Sequence, residues 1–390
     1  MGTNGGESLK RFRNLMWNIF HKGDMILLIL CIVATIFGIV MISAVVGEEG
    51  SSRNMSIQIG TLIGGVILYL FFTAFDIEIL SGQRTLLFLF NFAFIGLLLV
   101  FGIEGDSGNK SWLDLPVIPF NIQPAEVCKI TYIILLAKTM SLNQTRITSL
   151  GTYLKLAFHA IAITGFNLVI SRDLGVSLIY IFIFICITFL GGTKLRWLLA
   201  SGVAAAAASP FLWEYGLADY QKQRIMATFD KSIDPTGWGV LWQTTMNEKT
   251  LRAGGLTGLG LFNGKYSDSS LPARHTDSIF SAVGEQLGFF GCIFVLLILL
   301  AIVARVFYIA MKTEDYTNRL ICIGIASMLL FQIMINVGVC LGLVPVIGLA
   351  LPFISYGGSS ILTSFIAMGI VSGIKMHPAP SISAHYIRSY

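Results

Sequence analysis

The chain has 390 residues, of which 55% are hydrophobic and 12% charged, with a formal net charge of +5. At a mean hydropathy of +0.78 no ordinary soluble core accounts for the composition, and repeated apolar runs of roughly 18–25 residues match the about 30 Å of hydrocarbon that a helix must cross. The runs are continuous rather than alternating, which excludes a membrane β-barrel, and the basic excess sits in short connections between runs, the orientation signal of a membrane protein rather than a nucleic-acid surface.

The expected fold class is therefore an all-α polytopic membrane protein. Ten transmembrane helices are expected at about 24–46, 57–75, 85–103, 125–142, 151–170, 174–192, 196–213, 280–310, 320–344 and 353–375. Segment 1–23 carries Lys10, Arg11, Arg13 and Lys22 ahead of an apolar run too long for a signal-peptide core, so it is expected to stay in the cytoplasm. An even number of spans returns the tail 377–390 to the same side. Arg84, Lys138, Arg146, Lys194, Arg196, Arg305, Lys312, Arg319 and Lys375 then fall at cytoplasmic ends, while the outer connections 47–56 and 104–124 hold only Arg53 and Lys110. One long connection, 214–279, lies on the outer side and separates helices one to seven (24–213) from helices eight to ten (280–376). A connection of that length in a compact membrane protein is usually functional. The six cysteines (31, 128, 186, 292, 322 and 340) all lie in apolar runs without a Cys-x-x-Cys pair and read as small core residues.

Several polar groups sit where lipid-facing ones would be costly. Lys110 and Trp112 precede Gln123, Pro124, Glu126 and Lys129. Pro124 suits a first helical turn, and Glu126 and Lys129 are then spaced i,i+3. Two readings stand: a buried ion pair, or Lys129 and Lys110 beside an anionic group such as a pyrophosphate, with Trp112 at the interface. Arg172 and Asp173 close one span and open the next, Asp173 being suited to a helix N-terminus. The long connection offers Gln221 and Arg224, then the glycine-rich stretch 254–260. That stretch lacks phosphate-loop spacing and reads as tight turns with close backbone approach. The connection ends at Arg274, His275, Thr276 and Asp277, where water gives way to hydrocarbon. A helix starting at Asp277 would place Ser281 and Glu285 on one polar stripe. Near the C-terminus, Pro345, Pro352, Gly357 and Gly358 break regular helix around Ser355 and Ser359, which is tolerated only inside protein or along a wet cavity. Gln332 and Asn336 in the preceding span extend that polar interior.

Together these clusters resemble the SEDS family of bacterial cell-wall polymerases, whose members include RodA, FtsW and SpoVE. The carrying residues are Trp112; Gln123, Pro124, Glu126 and Lys129; Asp173, Leu174 and Gly175; Tyr220, Gln221 and Arg224; Leu271, Pro272, Thr276, Asp277, Ile279 and Phe280; Gly284, Glu285, Gly288 and Gly291; and Pro352 through Ser360. They span roughly residues 20–376 in order. The short tail and Lys110 lean towards RodA-like or SpoVE-like members. Departures from the family pattern are Ala125 for Ser, Arg172 for Pro, Trp242 for Tyr, Met246-Asn247 for Gln-Ser and Leu259 for Lys.

The resemblance implies a peptidoglycan glycosyltransferase of the bacterial plasma membrane that polymerises lipid II by inverting transfer on the outer face, with Asp277 as general base. It implies a substrate site drawn from Lys110, Trp112, Gln123, Glu126, Lys129, Asp173, Gln221, Arg224, Arg274, Thr276, Glu285, Ser355 and Ser359. Positive charge for the departing pyrophosphate would come from these cations or from a divalent ion, Mg or Mn; no other cofactor is implied. The implied partner is a class B penicillin-binding protein. The competing readings are a lipid II flippase, which the polar residues within spans fit, and a non-catalytic scaffold, which the loop departures fit.

Overall fold

The computed structural model describes residues 4–46, 48–103, 109–114, 120–267 and 270–378. Most of the tail 377–390 and parts of the 104–124 connection lie outside them. The helices in chain order are α1 (Asn4–Lys22), α2 (Met25–Val46), α3 (Glu48–Ala74), the short α4 (Ile77–Ser81), α5 (Arg84–Phe101), α6 (Pro124–Leu142) and α7 (Leu150–Ser171). They continue with α8 (Leu174–Leu190), α9 (Leu195–Phe211), α10 (Asp219–Phe229), α11 (Trp242–Gly254), α12 (Ile279–Lys312), α13 (Tyr316–Cys340) and α14 (Gly358–Met376). Two short antiparallel strands, β1 (Gly102–Ile103) and β2 (Trp112–Leu113), sit between α5 and α6.

Each of the ten apolar runs lies largely on one helix. Among the described residues eight helices are long and apolar enough to cross a membrane: α2, α3 from Asn54, α5, α7, α9 with its extension to Gly216, α12, α13 and α14. The other two runs fall on α8, which is apolar but only 17 residues long, and on α6, which carries Glu126, Lys129 and Lys138. Helices α6, α13 and α14 form the buried centre, whereas α9 has no buried residue and lies at the periphery. In a bilayer, helices associate through close packing, and small residues permit it. A Cβ on Gly65 of α3 would lie 2.5 Å from the Phe365 ring of α14, and one on Gly369 of α14 would lie 2.7 Å from the Tyr69 carbonyl of α3.

Three features depart from the expected layout. The N-terminal segment is helical: Met16, Ile19 and Phe20 recur at helical spacing, and Ile19 is buried while Trp17 and Phe20 remain exposed beside exposed Arg13. That is the pattern of an amphipathic helix lying along a surface. Second, α12 breaks at Gly288, whose φ of 66° and ψ of −162° suit glycine alone. The glycine-rich stretch docks there: Leu259 N–H donates to Glu285 O (2.9 Å), Gly260 N–H to Gln286 O (3.0 Å) and Phe289 N–H to Gly255 O (3.0 Å). The loop backbone thus supplies partners that the broken helix lacks. Third, α14 begins at Gly358 rather than 353, because the stretch from Gly342 to Gly357 is irregular, with residues 351–355 buried in the protein.

At the end of the bundle remote from residue 277, Asp24 is fully buried. Its carboxylate accepts from Arg305 Nη2 (2.8 Å) and Lys375 Nζ (3.0 Å), and its N–H donates to Ser372 Oγ (2.9 Å). The two cations and the capping bond to Leu27 N–H hold its carboxyl below the usual carboxylate value despite the opposing effect of burial. This cluster ties the start of α2 to α12 and α14.

Candidate active site

The segment 271–278 is a run of turns folded back on itself. Ser278 and Thr276 N–H groups both donate to Ala273 O (3.0 Å), and Ala273 adopts a positive φ of 48°. The irregular stretch before α14 then clamps the three carbonyls of this run. Tyr356 N–H donates to His275 O (2.7 Å), Ser355 Oγ to Thr276 O (2.6 Å) and Asn336 Nδ2 to Asp277 O (2.9 Å). Asn336 also donates to Leu349 O (2.7 Å), joining the two sides of the clamp. The backbone at Asp277 is thereby fixed from α13 and from the α13–α14 connection. Its side chain is a different matter. Among the described residues no group donates a hydrogen bond to the Asp277 carboxylate, and Gly348 lies alongside it, a Cβ there falling 3.6 Å from Oδ2. Protein surrounds the carboxylate, yet the residue keeps some accessible surface, as the floor of a cleft would. Burial raises its carboxyl to about 6; the negative charge of Asp173 adds to the rise and the Arg224 guanidinium opposes it.

The first polar cluster and Asp173 form a second layer. Gln123 Nε2 donates to Asp173 Oδ2 (3.3 Å), while Asp173 Oδ1 accepts from Val176 N–H (3.0 Å) and caps α8. Gln123 N–H donates to Ser359 Oγ (3.2 Å) at the start of α14. Lys129 and Glu126 form a buried ion pair (2.7 Å), and Thr363 donates to the other Glu126 oxygen (3.3 Å). Burial also brings the Asp173 carboxyl up to about 6, against the capping bond and the pull of Lys129. Two carboxyls that resist ionisation thus face each other's field, and Arg224 of α10 is the cation that acts on Asp277. Its Nη1 donates to Val346 O (3.4 Å) in the irregular stretch, which anchors α10 over the site.

Other expected site residues are committed elsewhere. Glu285 does not continue a stripe from Asp277, since Ser278 and not Asp277 precedes α12; its carboxylate instead accepts the N–H groups of Lys265 (3.0 Å), Tyr266 (2.8 Å) and Ser267 (2.8 Å). Gln221 caps its own helix by accepting from Ala218 N–H (3.0 Å). Lys110 Nζ donates to Leu99 O at the end of α5 (3.3 Å), Trp112 sits in the β1–β2 pair, and Arg274 Nη1 donates to Ser267 O (3.2 Å). Thr276 Oγ1 donates to Ala273 O (3.2 Å), and Ser355 Oγ is used between Thr276 O and Leu351 N–H (2.8 Å). Sequence reasoning did not identify Asn336 as the clamp or Gly348 as the neighbour of the carboxylate. The available signals were an amide deep in an apolar span and a glycine between two prolines.

Among the described residues no three His, Cys, Asp or Glu side chains converge to hold a metal by themselves. Asp173 already spends its two oxygens on Val176 N–H and Gln123 Nε2, so Mg or Mn at this site would be held chiefly by substrate phosphates.

Residues 24–379 match the family model described as cell cycle protein, which covers FtsW, RodA and SpoVE. A probable peptidoglycan glycosyltransferase FtsW of Trichlorobacter lovleyi is 33% identical over 367 residues, covering 91% of this chain and 94% of that protein. The peptidoglycan glycosyltransferase MrdB of Escherichia coli is 28% identical over 368 residues, covering 94% and 96%. Among solved structures, a chain of a peptidoglycan synthase complex that coordinates polymerization and crosslinking superposes with a TM-score of 0.77 at 28% identity, over 91% of this chain and 98% of that one. The rod shape determining protein RodA of Thermus thermophilus gives a TM-score of 0.69 at 25% identity, over 93% and 99%.

Proposed function

The chain belongs to the FtsW/RodA/SpoVE family of cell cycle proteins, and from that premise we propose that it is a peptidoglycan glycosyltransferase that polymerises lipid II with Asp277 as general base. The observation that carries the reading is a carboxylate with a clamped backbone, no hydrogen-bond donor of its own among the described residues and a carboxyl raised to about 6. A base of that strength is ionised at neutral pH and still able to take a proton.

The donor sugar is α-linked through pyrophosphate to a polyprenyl chain and the product linkage is β, so a single inverting displacement suffices. The acceptor hydroxyl oxygen attacks the anomeric carbon as its proton passes to Asp277. The bond to the pyrophosphate oxygen breaks with its electron pair, and polyprenyl pyrophosphate departs. Proton removal by a positioned base is worth about 10²–10⁴ in rate, so positioning and charge stabilisation supply most of the remainder. Of the cations considered from sequence, Lys129 is neutralised by Glu126, and Arg224 is the one whose charge acts on Asp277. Arg224 is therefore assigned to the leaving pyrophosphate. A divalent ion, when bound, would be held chiefly by the substrate phosphates and would supply further neutralisation of the leaving group, leaving Asp277 free as the base.

The distribution of Lys and Arg supports cytoplasmic termini and Asp277 on the outer face. The likeness to a chain of a synthase complex supports a transpeptidase partner of the class B penicillin-binding type. The deciding experiment supplies purified protein with lipid II, with and without that partner and Mg or Mn. Glycan polymer from the wild type, formed about 10²–10⁴-fold more slowly by equally abundant Asp277→Asn, is expected. Normal polymer from the variant refutes the role of Asp277. Lipid II movement across a bilayer without polymer replaces the reading by a flippase, and no activity with the partner present replaces it by a scaffold.

A further inference from the structure

The 214–279 segment holds a second concavity that the proposed mechanism does not use. It is a cleft of about 410 Å³ lined by Trp238, Trp242, Met246, Lys249, Tyr266 and Ser270. Its volume falls within the roughly 300–1,000 Å³ of small-molecule sites. Trp238 and Trp242 are 69% and 41% exposed, a large aromatic area left uncovered. Lys249 Nζ lies 5.9 Å from the Trp238 ring centre and pairs with no carboxylate among the described residues.

Part of the wall is anchored to the protein. Met246 packs with Val45, Leu271 and Ala282, and the Tyr266 N–H is held by Glu285 (2.8 Å). The cleft is also joined to the candidate site. Gln243, next to Trp242, donates through Nε2 to Ser278 Oγ (3.2 Å), the residue after Asp277. Tryptophans and tyrosines that anchor a protein at a membrane interface spread along it as a belt. Here two indoles, a phenol and an ammonium converge on one concavity.

We propose that this cleft binds an N-acetylhexosamine unit of the growing β-linked glycan strand, a proposal that rests on the glycosyl-transfer reading of Asp277. In a β-linked pyranose the ring substituents are equatorial, leaving a face of axial C–H bonds that stacks on an indole, whose π face is negative. The ammonium of Lys249 donates to an N-acetyl carbonyl or a carboxylate borne by the strand. Holding the strand one helix away from the base keeps the product attached between additions and lengthens it.

The test uses the full chain in nanodiscs and chitohexaose, a soluble β-1,4-linked N-acetylglucosamine oligomer without lipid or peptide, followed by saturation-transfer NMR. The Trp238→Ala/Trp242→Ala pair, which removes both stacking platforms, is expected to bind it at least about tenfold more weakly and to make shorter glycan from lipid II. The pair Trp238→Tyr/Trp242→Tyr restores binding, which a folding defect does not predict, and Asp277→Asn binds as the wild type does. Binding with no polymer from any variant would remove the glycosyl-transfer reading and leave the cleft standing as a sugar site. Unchanged chitohexaose binding and glycan length in the alanine pair overturn the cleft while sparing the mechanism. Retained sugar binding with lost vesicle association, or with lost capture of the transpeptidase, also overturns it and assigns the tryptophans to the membrane or to the partner.

Discussion

Glu285 gives the sharpest test of how the loop is held. It is fully buried, and its two oxygens accept three backbone N–H groups, from Lys265 and Tyr266 at Oε1 and from Ser267 at Oε2. In Glu285→Gln one oxygen becomes an NH₂ group and faces a donor. If the remaining oxygen stays with Lys265 and Tyr266, Ser267 loses a charge-assisted bond worth about 1.5–3 kcal/mol, and the other two bonds fall to neutral strength at about half that value each. The sum is about 3–6 kcal/mol, held locally in the 265–267 turn. Hydrogen exchange followed by mass spectrometry reads this directly, because each 1.4 kcal/mol is tenfold in the opening equilibrium. Peptides covering 265–267 should exchange about 10²–10⁴-fold faster, while peptides in α13 keep their protection. Polymerisation should fall as well, since the turn leads into the Asp277 clamp. Wild-type exchange in the variant would refute the anchoring role and return Glu285 to the list of substrate contacts.

Two more outcomes discriminate between readings. Lys129→Met leaves the Glu126 carboxylate buried without its cation and should cost about 3–5 kcal/mol, read as loss of folded protein on denaturation, with most of it recovered in Glu126→Gln/Lys129→Met. A fully stable but inactive Lys129→Met would instead make Lys129 a substrate contact. Gly288→Ala introduces a Cβ 2.4 Å from Gly258 N and forces a conformation that costs roughly 1–3 kcal/mol for the backbone alone. It should release the 254–260 stretch to limited proteolysis, and unchanged cleavage would contradict the docking of that stretch on α12.

Hydrophobic run length was enough to find the apolar helices, eight of which among the described residues are long and apolar enough to cross a membrane, because an apolar stretch of that length has few other uses. It was not enough for α1, whose apolar residues are spaced along one face and interrupted by charges, so no run appears. The broken segment before α14 was legible because Pro345, Pro352 and paired glycines forbid regular helix, and Asn336 was visible as an amide that needed an interior partner. The Gly288 break was not legible, since one glycine in an apolar run is compatible with a continuous helix. Pairings across the chain were also hidden. Glu285 with residues 265–267, and Asp24 with Arg305 and Lys375, join positions tens to hundreds of residues apart, and spacing cannot reveal them. For Glu126 and Lys129 the spacing left a structural and a functional reading, and the structure contains the ion pair.

The central claim is that Asp277 takes the acceptor proton, and the pH dependence of glycan formation from lipid II tests it most directly. A general base must be ionised. Because burial and Asp173 raise the Asp277 carboxyl to about 6, the wild-type rate should be level above that pH and fall about tenfold per pH unit below it. Asp277→Asn, compared at equal amounts of folded protein, should lose about 10²–10⁴ in rate and retain no such limb. A variant that polymerises at the wild-type rate, or one that is slow yet keeps the same acid limb, would contradict the assignment.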